Sequence, residues 1–264
     1  MHVSYSAIDT YTNKCPFSFK LKYIDKVPLE TGNLYAAFGQ AIHSVLETCL
    51  PDPKVDVDDI FKWLFKKNLK LLPYHKKQEI FTDKKLKKAA LNMAKVGANL
   101  CKLTIEALEN IFPGYELISV EQTFIEPIIE FEANDYEFKG IIDIIIKHND
   151  LYHILDFKNC LWGWNARKKN NTMTTYQLTY YKHYFCLQTN IDLDKVKTYF
   201  CLIKRTPTKD NIEIFEVKVG EKKIKNSLKV LNNMLYNIEK KNFPKNKLNC
   251  KWCDYYHTQY CDSK

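Results

Sequence analysis

Arginine is almost missing from this chain: Arg167 and Arg205 are the only two among 40 basic residues, so lysine carries nearly all the positive charge. Glycine and proline are scarce too, at 7 and 9 in 264 residues, which excludes a collagen-like or linker-dominated polypeptide. No window approaches the run of about 18 apolar residues that crosses a bilayer. The opening Met1-His2-Val3-Ser4-Tyr5-Ser6 has neither the basic patch nor the apolar stretch of a secretory signal. What is present is an ordinary globular composition, 45% hydrophobic and 27% charged, expected to give a soluble cytoplasmic protein. The net charge of +9 suits a polyanionic partner such as nucleic acid, although a genome-wide lysine bias would produce the same excess.

Nine cysteines in a chain read as intracellular argue for thiols or metal ligands rather than disulfides. Cys49, Cys101, Cys160, Cys186 and Cys201 stand alone in apolar or periodic segments and read as small buried hydrophobes. Cys250, Cys253 and Cys261 crowd together near the C-terminus, and Cys15 sits beside Pro16 near the N-terminus. The three C-terminal cysteines read as ligands of one metal centre completed from elsewhere. Zinc and iron–sulfur clusters both accept four thiolates, and spacing does not separate them.

No internal repeat or low-complexity tract is present. The first half reads as helical: Ser6 is expected to cap a short helix through Thr12, and Cys15-Pro16 to open a second over 17–24. Further helices are predicted over 36–49, 57–70 and 83–111, the last ending before Pro113-Gly114. From Tyr115 the period changes to that of strands, at 115–132, 136–147 and 151–158. A helix over 174–188, strands at 196–204 and 212–218, and a helix over 221–241 follow. The expected architecture is α/β, a central sheet flanked by helices in a single domain over 1–264. Within it, 1–114 is mainly helical, 115–220 forms the core, and 221–264 holds a helix and the cysteine-rich tail.

The chemistry concentrates in Gly140-Ile141-Ile142-Asp143 and Leu155-Asp156-Phe157-Lys158. A hairpin turning symmetrically about Asn149 and Asp150 brings Asp143 opposite Asp156, and the period of two puts Lys158 on the face of Asp156. Two carboxylates forced together among isoleucines repel unless a cation separates them, and a hard ion such as Mg²⁺ or Mn²⁺ is the natural one. Strand-end carboxylates that simply face water are the plainer alternative. On the 36–49 helix, Gly39 and His43 lie one turn apart; Gly39 would admit a close neighbour and His43 could offer a nitrogen to the metal. Gln177 and Tyr181 share a face of the later helix, where they could contact phosphate or orient water, while Tyr180 and Tyr184 read as core.

Gly39-x3-His43, Gly140-x2-Asp143, Asp156-Phe157-Lys158 and Gln177-x3-Tyr181 occur in the order seen in RecB-type nucleases of the PD-(D/E)xK superfamily, which this chain resembles. Ser4-Tyr5-Ser6, Cys15-Pro16 and Tyr23 are similar to that family's opening. The resemblance implies a restriction-endonuclease-like core, with His43, Asp143, Asp156 and the Phe157 backbone carbonyl as metal ligands. It implies Lys158 as the catalytic lysine, with Gln177 and Tyr181 supporting it or touching DNA. The implied reaction is Mg²⁺- or Mn²⁺-dependent phosphodiester hydrolysis. Glu121 is a further acidic candidate. The resemblance also favours a 4Fe–4S cluster on Cys15, Cys250, Cys253 and Cys261, as in the AddB nucleases and CRISPR-associated RecB-like exonucleases. Zinc, and His257 as a substitute ligand, stay open.

Between the hairpin and the Gln177 helix, Trp162, Trp164, Arg167, Lys168 and Lys169 combine aromatics with cations and are candidate DNA contacts. A surface loop with one buried tryptophan is the competing reading. The expected activity is a DNA exonuclease acting on single strands or ends in recombination, repair or foreign-DNA processing, phage-encoded or CRISPR-associated. The alternatives are a non-catalytic DNA-binding module and an RNA-directed nuclease. No Gly-x4-Gly-Lys-Ser/Thr loop is present, so unwinding would need a helicase, recombination or CRISPR partner.

Overall fold

The computed structural model describes residues 1–30, 32–129, 136–206 and 210–261. Its helical front starts two residues earlier than expected. Helix α1 (Tyr5–Asp9) is capped by Ser4, whose hydroxyl accepts from the Ala7 N–H, and Ser6 lies inside the first turn. Helix α2 (Pro16–Phe19) opens on its proline. Both helices slacken into π turns, Thr10–Lys14 and Lys20–Ile24. Helix α3 (Leu34–Cys49) is capped by Asn33, α4 (Val57–Leu71) by Asp56 and α6 (Lys84–Ile111) by Asp83. Helix α5 (Tyr74–Thr82) escapes the sequence reading because it buries no residue and so carries no apolar stripe.

The sheet is mixed. Its strands are β1 (His2–Val3), β2 (Glu116–Pro127), β3 (Glu137–His148), β4 (Leu151–Cys160), β5 (Val196–Lys204) and β6 (Ile212–Glu216). Helices α7 (Ala166–Lys169) and α8 (Thr172–Thr189) connect β4 to β5, and α9 (Glu221–Glu239) follows β6. Strand β2 ends at Pro127, short of the expected 132, and 130–132 lie outside the described residues. Strands β2, β3 and β4 are antiparallel neighbours, β5 runs parallel to β4, and β6 returns antiparallel to β5. The parallel β4–β5 step needs a crossover, and α8 supplies it.

Each face of the sheet is covered. On one, Ile145, Ile154, Phe200 and Leu202 pack with Tyr180, Tyr184 and Phe185 of α8 and Leu231 and Leu235 of α9. On the other, Ile144, Ile146, Leu155 and Phe157 pack with Phe38, Ile42 and Val45 of α3, Phe61 of α4 and Leu108 of α6. The isoleucine run of β3 is hydrophobic throughout because it is buried on both faces.

Asn149 and Asp150 both adopt left-handed backbone, with φ of 50° and 58°, as a two-residue hairpin turn with right-handed strand twist requires. The register runs from His148 opposite Leu151 to Ile144 opposite Leu155, as the symmetric turn predicts, and there it stops. Strand β2 occupies one edge of β3 along nearly its whole length. On the other edge β4 takes the end near the turn, and β1 takes Glu137 and Phe138. Between them, ending at Asp143, that edge has no ladder partner among the described residues. This notch positions the site.

Candidate active site

Asp143 and Asp156 stand where the next ladder pair would be, but their backbones have parted. Asp143 instead uses its side chain: Oδ2 accepts the Phe157 N–H at 2.7 Å. In a strand, the N–H and C=O of one residue point to the same edge, so the Phe157 carbonyl is aimed into the notch as well. The expected direct opposition of the two aspartates is thus replaced by a side-chain bridge. A regular ladder would have filled with backbone hydrogen bonds the space in which the carboxylates now meet.

The Asp156 side chain is almost wholly buried, and α8 holds it from its face of the sheet. Gln177 donates from Nε2 to Asp156 Oδ1 at 2.7 Å, and its Nε2 lies 3.0 Å from the Tyr181 hydroxyl oxygen. Lys158 Nζ is 2.7 Å from Asp156 Oδ2, close enough for an ion pair but not aligned as a hydrogen bond, so Oδ2 keeps a buried lone pair uncommitted. Burial pushes the Asp156 carboxyl up to about 6, with Asp143 adding to the rise and the Lys158 ammonium opposing it.

His43 approaches from α3. Its ring meets Phe157 edge-on at 5.9 Å, and Nδ1 is 3.6 Å from Asp143 Oδ1. Burial works against an imidazolium, but the hydrogen bond and charge of Asp143 and the charge of Asp156 outweigh it, so the pKa is raised. Gly39, one turn earlier, faces Asn159. A methyl there would lie 3.7 Å from the Asn159 Cβ, an ordinary contact, so glycine is not sterically required as expected. Gly140 is different. A Cβ there would collide with the ring of Phe124, its partner on β2.

Two acidic residues complete the surroundings. Glu47, one turn beyond His43, shares a hydrogen bond with Glu121; burial first, then this neighbour, pushes the Glu47 carboxyl up to about 8. Glu121 stands across β2 from Asp143 with left-handed backbone, φ 47°, an unusual conformation for a non-glycine strand residue. Glu47 was legible as the fourth residue after His43 but was not singled out. Tyr5 comes in from the start of α1. Its buried hydroxyl donates to the Met173 carbonyl at 3.0 Å, and burial and the Asp9 and Asp156 charges push its pKa up.

The loop after β4 divides. Trp162 is 67% exposed, whereas Trp164 packs on Phe200 and Phe215 with the Lys168 ammonium 4.5 Å from its ring centre. Lys169 is ion-paired with Glu213. Trp162 and the exposed Arg167 therefore remain free to meet a ligand, while Trp164 and Lys169 already have partners. Tyr180 and Tyr184 are core residues, as read.

Cys15, Cys250, Cys253 and Cys261 line one small, mostly apolar cavity with Phe17, Leu21 and Tyr255, and none of the four is in a disulfide among the described residues. The Asn246 N–H points at Cys15 Sγ from 3.3 Å. Asn246 and Asn249 donate to the Lys14 carbonyl, tying the tail to the N-terminal helices. His257 packs its ring on Tyr256 and does not line the cavity. Of the other cysteines, Cys49, Cys101, Cys186 and Cys201 are buried and Cys160 is half-buried. As they stand, no three His, Cys, Asp or Glu side chains among the described residues are gathered tightly enough to hold an ion. No described helix is long and apolar enough to cross a membrane.

A mixed sheet flanked by helices, with an Asp and an Asp-x-Lys meeting where two strands diverge, defines a nuclease-like α/β protein. The chain belongs to the PD-(D/E)XK nuclease superfamily, whose family model matches residues 2–261. A crystal structure from Eubacterium rectale, described provisionally as an exonuclease, has a similar fold, with a TM-score of 0.61 at 11% identity over 100% of this chain and 91% of its own. A second structure, SSO0001, covers 82% of this chain and 92% of its own at 15% identity, but its TM-score of 0.37 carries no argument. No curated protein sequence matches.

Proposed function

We propose that this chain is a metal-dependent DNA exonuclease acting on single strands or DNA ends. One observation carries the reading: His43, Asp143, Asp156 and Lys158, from α3, β3 and β4, converge on the unpaired notch of the sheet. Membership of a nuclease superfamily supports it. The donor types suit a hard divalent cation such as Mg²⁺ or Mn²⁺, although His43, Asp143 and Asp156 would have to draw closer to grip it. Asp156 Oδ2 is buried with an uncommitted lone pair, and carboxylates and a backbone carbonyl are suitable ligands, with the His43 imidazole a softer donor beside them. His43, Asp143, Asp156 and the Phe157 carbonyl would hold the ion. Bound there, it supplies charge stabilisation at the phosphoryl oxygens and a more acidic water.

The protein's own groups do the rest. Lys158 brings a positive charge beside Asp156, where it neutralises the phosphate and positions the attacking water. Gln177 fixes the orientation of Asp156, and Tyr181 backs Gln177. Trp162, Arg167 and Lys168 lie on the loop beyond β4, suited to stacking on bases and contacting phosphates. Close by, Glu47 carries a proton at neutral pH in the metal-free protein and stands against Glu121, a further acidic residue.

The four cysteines bind a 4Fe–4S cluster in this reading, with zinc the alternative. Their shared cavity and the Asn246 N–H directed at Cys15 Sγ support a thiolate centre, since such hydrogen bonds stabilise metal-bound sulfur. The centre joins residues 235 apart, Cys15 and Cys250 (250 − 15), and serves as a structural staple over one domain spanning the chain. ATP-driven unwinding would come from a helicase or from recombination or CRISPR partners.

The test is anaerobic purification, a visible spectrum, and Mn²⁺-dependent cleavage of end-labelled single- and double-stranded DNA. Asp156→Ala and Lys158→Ala should each abolish cleavage while binding persists. Cleavage surviving both substitutions overturns the nuclease assignment, and DNA binding without any cleavage by the unaltered protein favours a binding module. A colourless, zinc-loaded protein overturns only the cluster.

A further inference from the structure

Along α3, Tyr35, Gly39 and His43 succeed one another at one-turn intervals on a single face, and each meets a different part of the sheet. His43 touches Phe157, Gly39 lies over Asn159, and the Tyr35 ring centre is 4.6 Å from the Arg205 guanidinium. Asn159 pairs with Ile203 in the parallel β4–β5 ladder, and Arg205 follows two residues later, so both point to the α3 face and stand diagonally adjacent. The Arg205 N–H continues the pairing by donating to the Cys160 carbonyl.

This corner holds polar groups that have no hydrogen-bond partner among the described residues. Both side-chain polar atoms of Asn159 are buried and unbonded, and so is Arg205 Nε. Arg205 forms no ion pair with a carboxylate among the described residues, and burial pushes its pKa down. Its ring partner Tyr35 is 44% exposed, so the corner borders solvent. Unpaired buried amide and guanidinium groups are costly, and native proteins keep them where a ligand completes them. Lysine supplies all but two of the 40 basic residues of this chain, yet an arginine stands here. Its planar fork binds phosphate oxygens in pairs and stacks on an aromatic ring, neither of which lysine reproduces.

We propose that Arg205, Asn159 and Tyr35 form a subsite for a backbone phosphate of the nucleic-acid strand, flanking the scissile position. The eight residues from Tyr35 to His43 place it about 12 Å along α3 from the metal centre. Arg205 and the Asn159 Nδ2–H donate to the phosphate oxygens, and Tyr35 holds the guanidinium flat. The subsite rests on the nuclease reading for its ligand but uses none of the groups assigned to the chemistry.

The test measures binding of fluorescent single-stranded oligonucleotides by anisotropy in EDTA, over a range of salt, followed by steady-state cleavage with Mn²⁺. Arg205→Ala and Asn159→Ala should weaken oligonucleotide binding about tenfold. Arg205→Ala should also flatten the salt dependence by roughly one phosphate contact. In cleavage the loss should fall on KM more than on kcat, and shrink as the substrate is shortened toward a dinucleotide. Arg205→Lys, which keeps the charge, and Tyr35→Ala, at an exposed position, carry the test if Arg205→Ala does not fold; each should weaken binding by a smaller factor. If the unaltered protein cleaves DNA but all these variants bind with its affinity and salt slope, the subsite is wrong and the nuclease reading stands. If the unaltered protein neither binds nor cleaves nucleic acid, both fall.

Discussion

Asp143 accepts the Phe157 N–H through its carboxylate at 2.7 Å, so a side chain continues the β3–β4 pairing one step past the last backbone pair. This single bond spreads the strands, aims the Phe157 carbonyl into the notch and fixes one carboxylate beside the other.

The bond separates the structural and chemical duties of Asp143. Asp143→Asn keeps an oxygen acceptor for the Phe157 N–H, whereas Asp143→Ala leaves that buried donor unpaired. Urea unfolding should show the alanine variant about 1–3 kcal/mol less stable than the asparagine variant, with both lacking Mn²⁺-dependent cleavage. Equal stabilities would show that the bond contributes nothing.

Gln177 donates to Asp156, and on the proposed reading it acts by orienting that carboxylate. Gln177→Ala should lower cleavage roughly 10–100-fold and weaken Mn²⁺ binding, with an unchanged circular dichroism spectrum. Full activity in this variant would leave Asp156 held by Lys158 and packing alone.

The raised carboxyl pKa values give the metal-free protein a definite pH dependence. A carboxyl whose folded pKa lies above its unfolded value binds its proton more tightly when folded, so its stabilisation is present at low pH and lost as pH rises. For Glu47 the loss spans 4.5 to about 8, and for Asp156 it spans 3.8 to about 6. His43, also raised, has the same sign. Melting temperatures in EDTA should fall as pH rises through these windows. Glu47→Gln should flatten the upper part of the fall and leave the lower part, and an unaltered profile would remove Glu47 as its source.

Gly140 owes its identity to the Phe124 ring, not to backbone conformation. Gly140→Ala forces that ring aside and should cost about 1–3 kcal/mol in chemical denaturation. Gly39→Ala, with its ordinary 3.7 Å contact, should be tolerated. The reverse order of stabilities would refute this account.

Much of the site was legible because its spacing is local. The Asn149-Asp150 turn dictates the hairpin register, and the register dictates that Asp143 and Asp156 approach, with Lys158 on the same face. The four-residue interval between Gln177 and Tyr181 likewise predicts their contact. Helix α5 is not legible because it buries nothing, and the Ser4 cap is hidden because Ser6 is an equally good residue type two positions later.

The sequence by itself determined the alternation of elements and the hairpin register, since these follow from short-range periodicity and turn chemistry. Only the tertiary structure decided that β3 and β4 part at the aspartates, that Glu47 meets Glu121, and that Cys15 shares a cavity with the C-terminal cysteines. It also decided which loop cations are already paired and that Arg205 has no carboxylate partner among the described residues. These are contacts between residues far apart in the chain, set by how helices and sheet pack, and no local pattern encodes them.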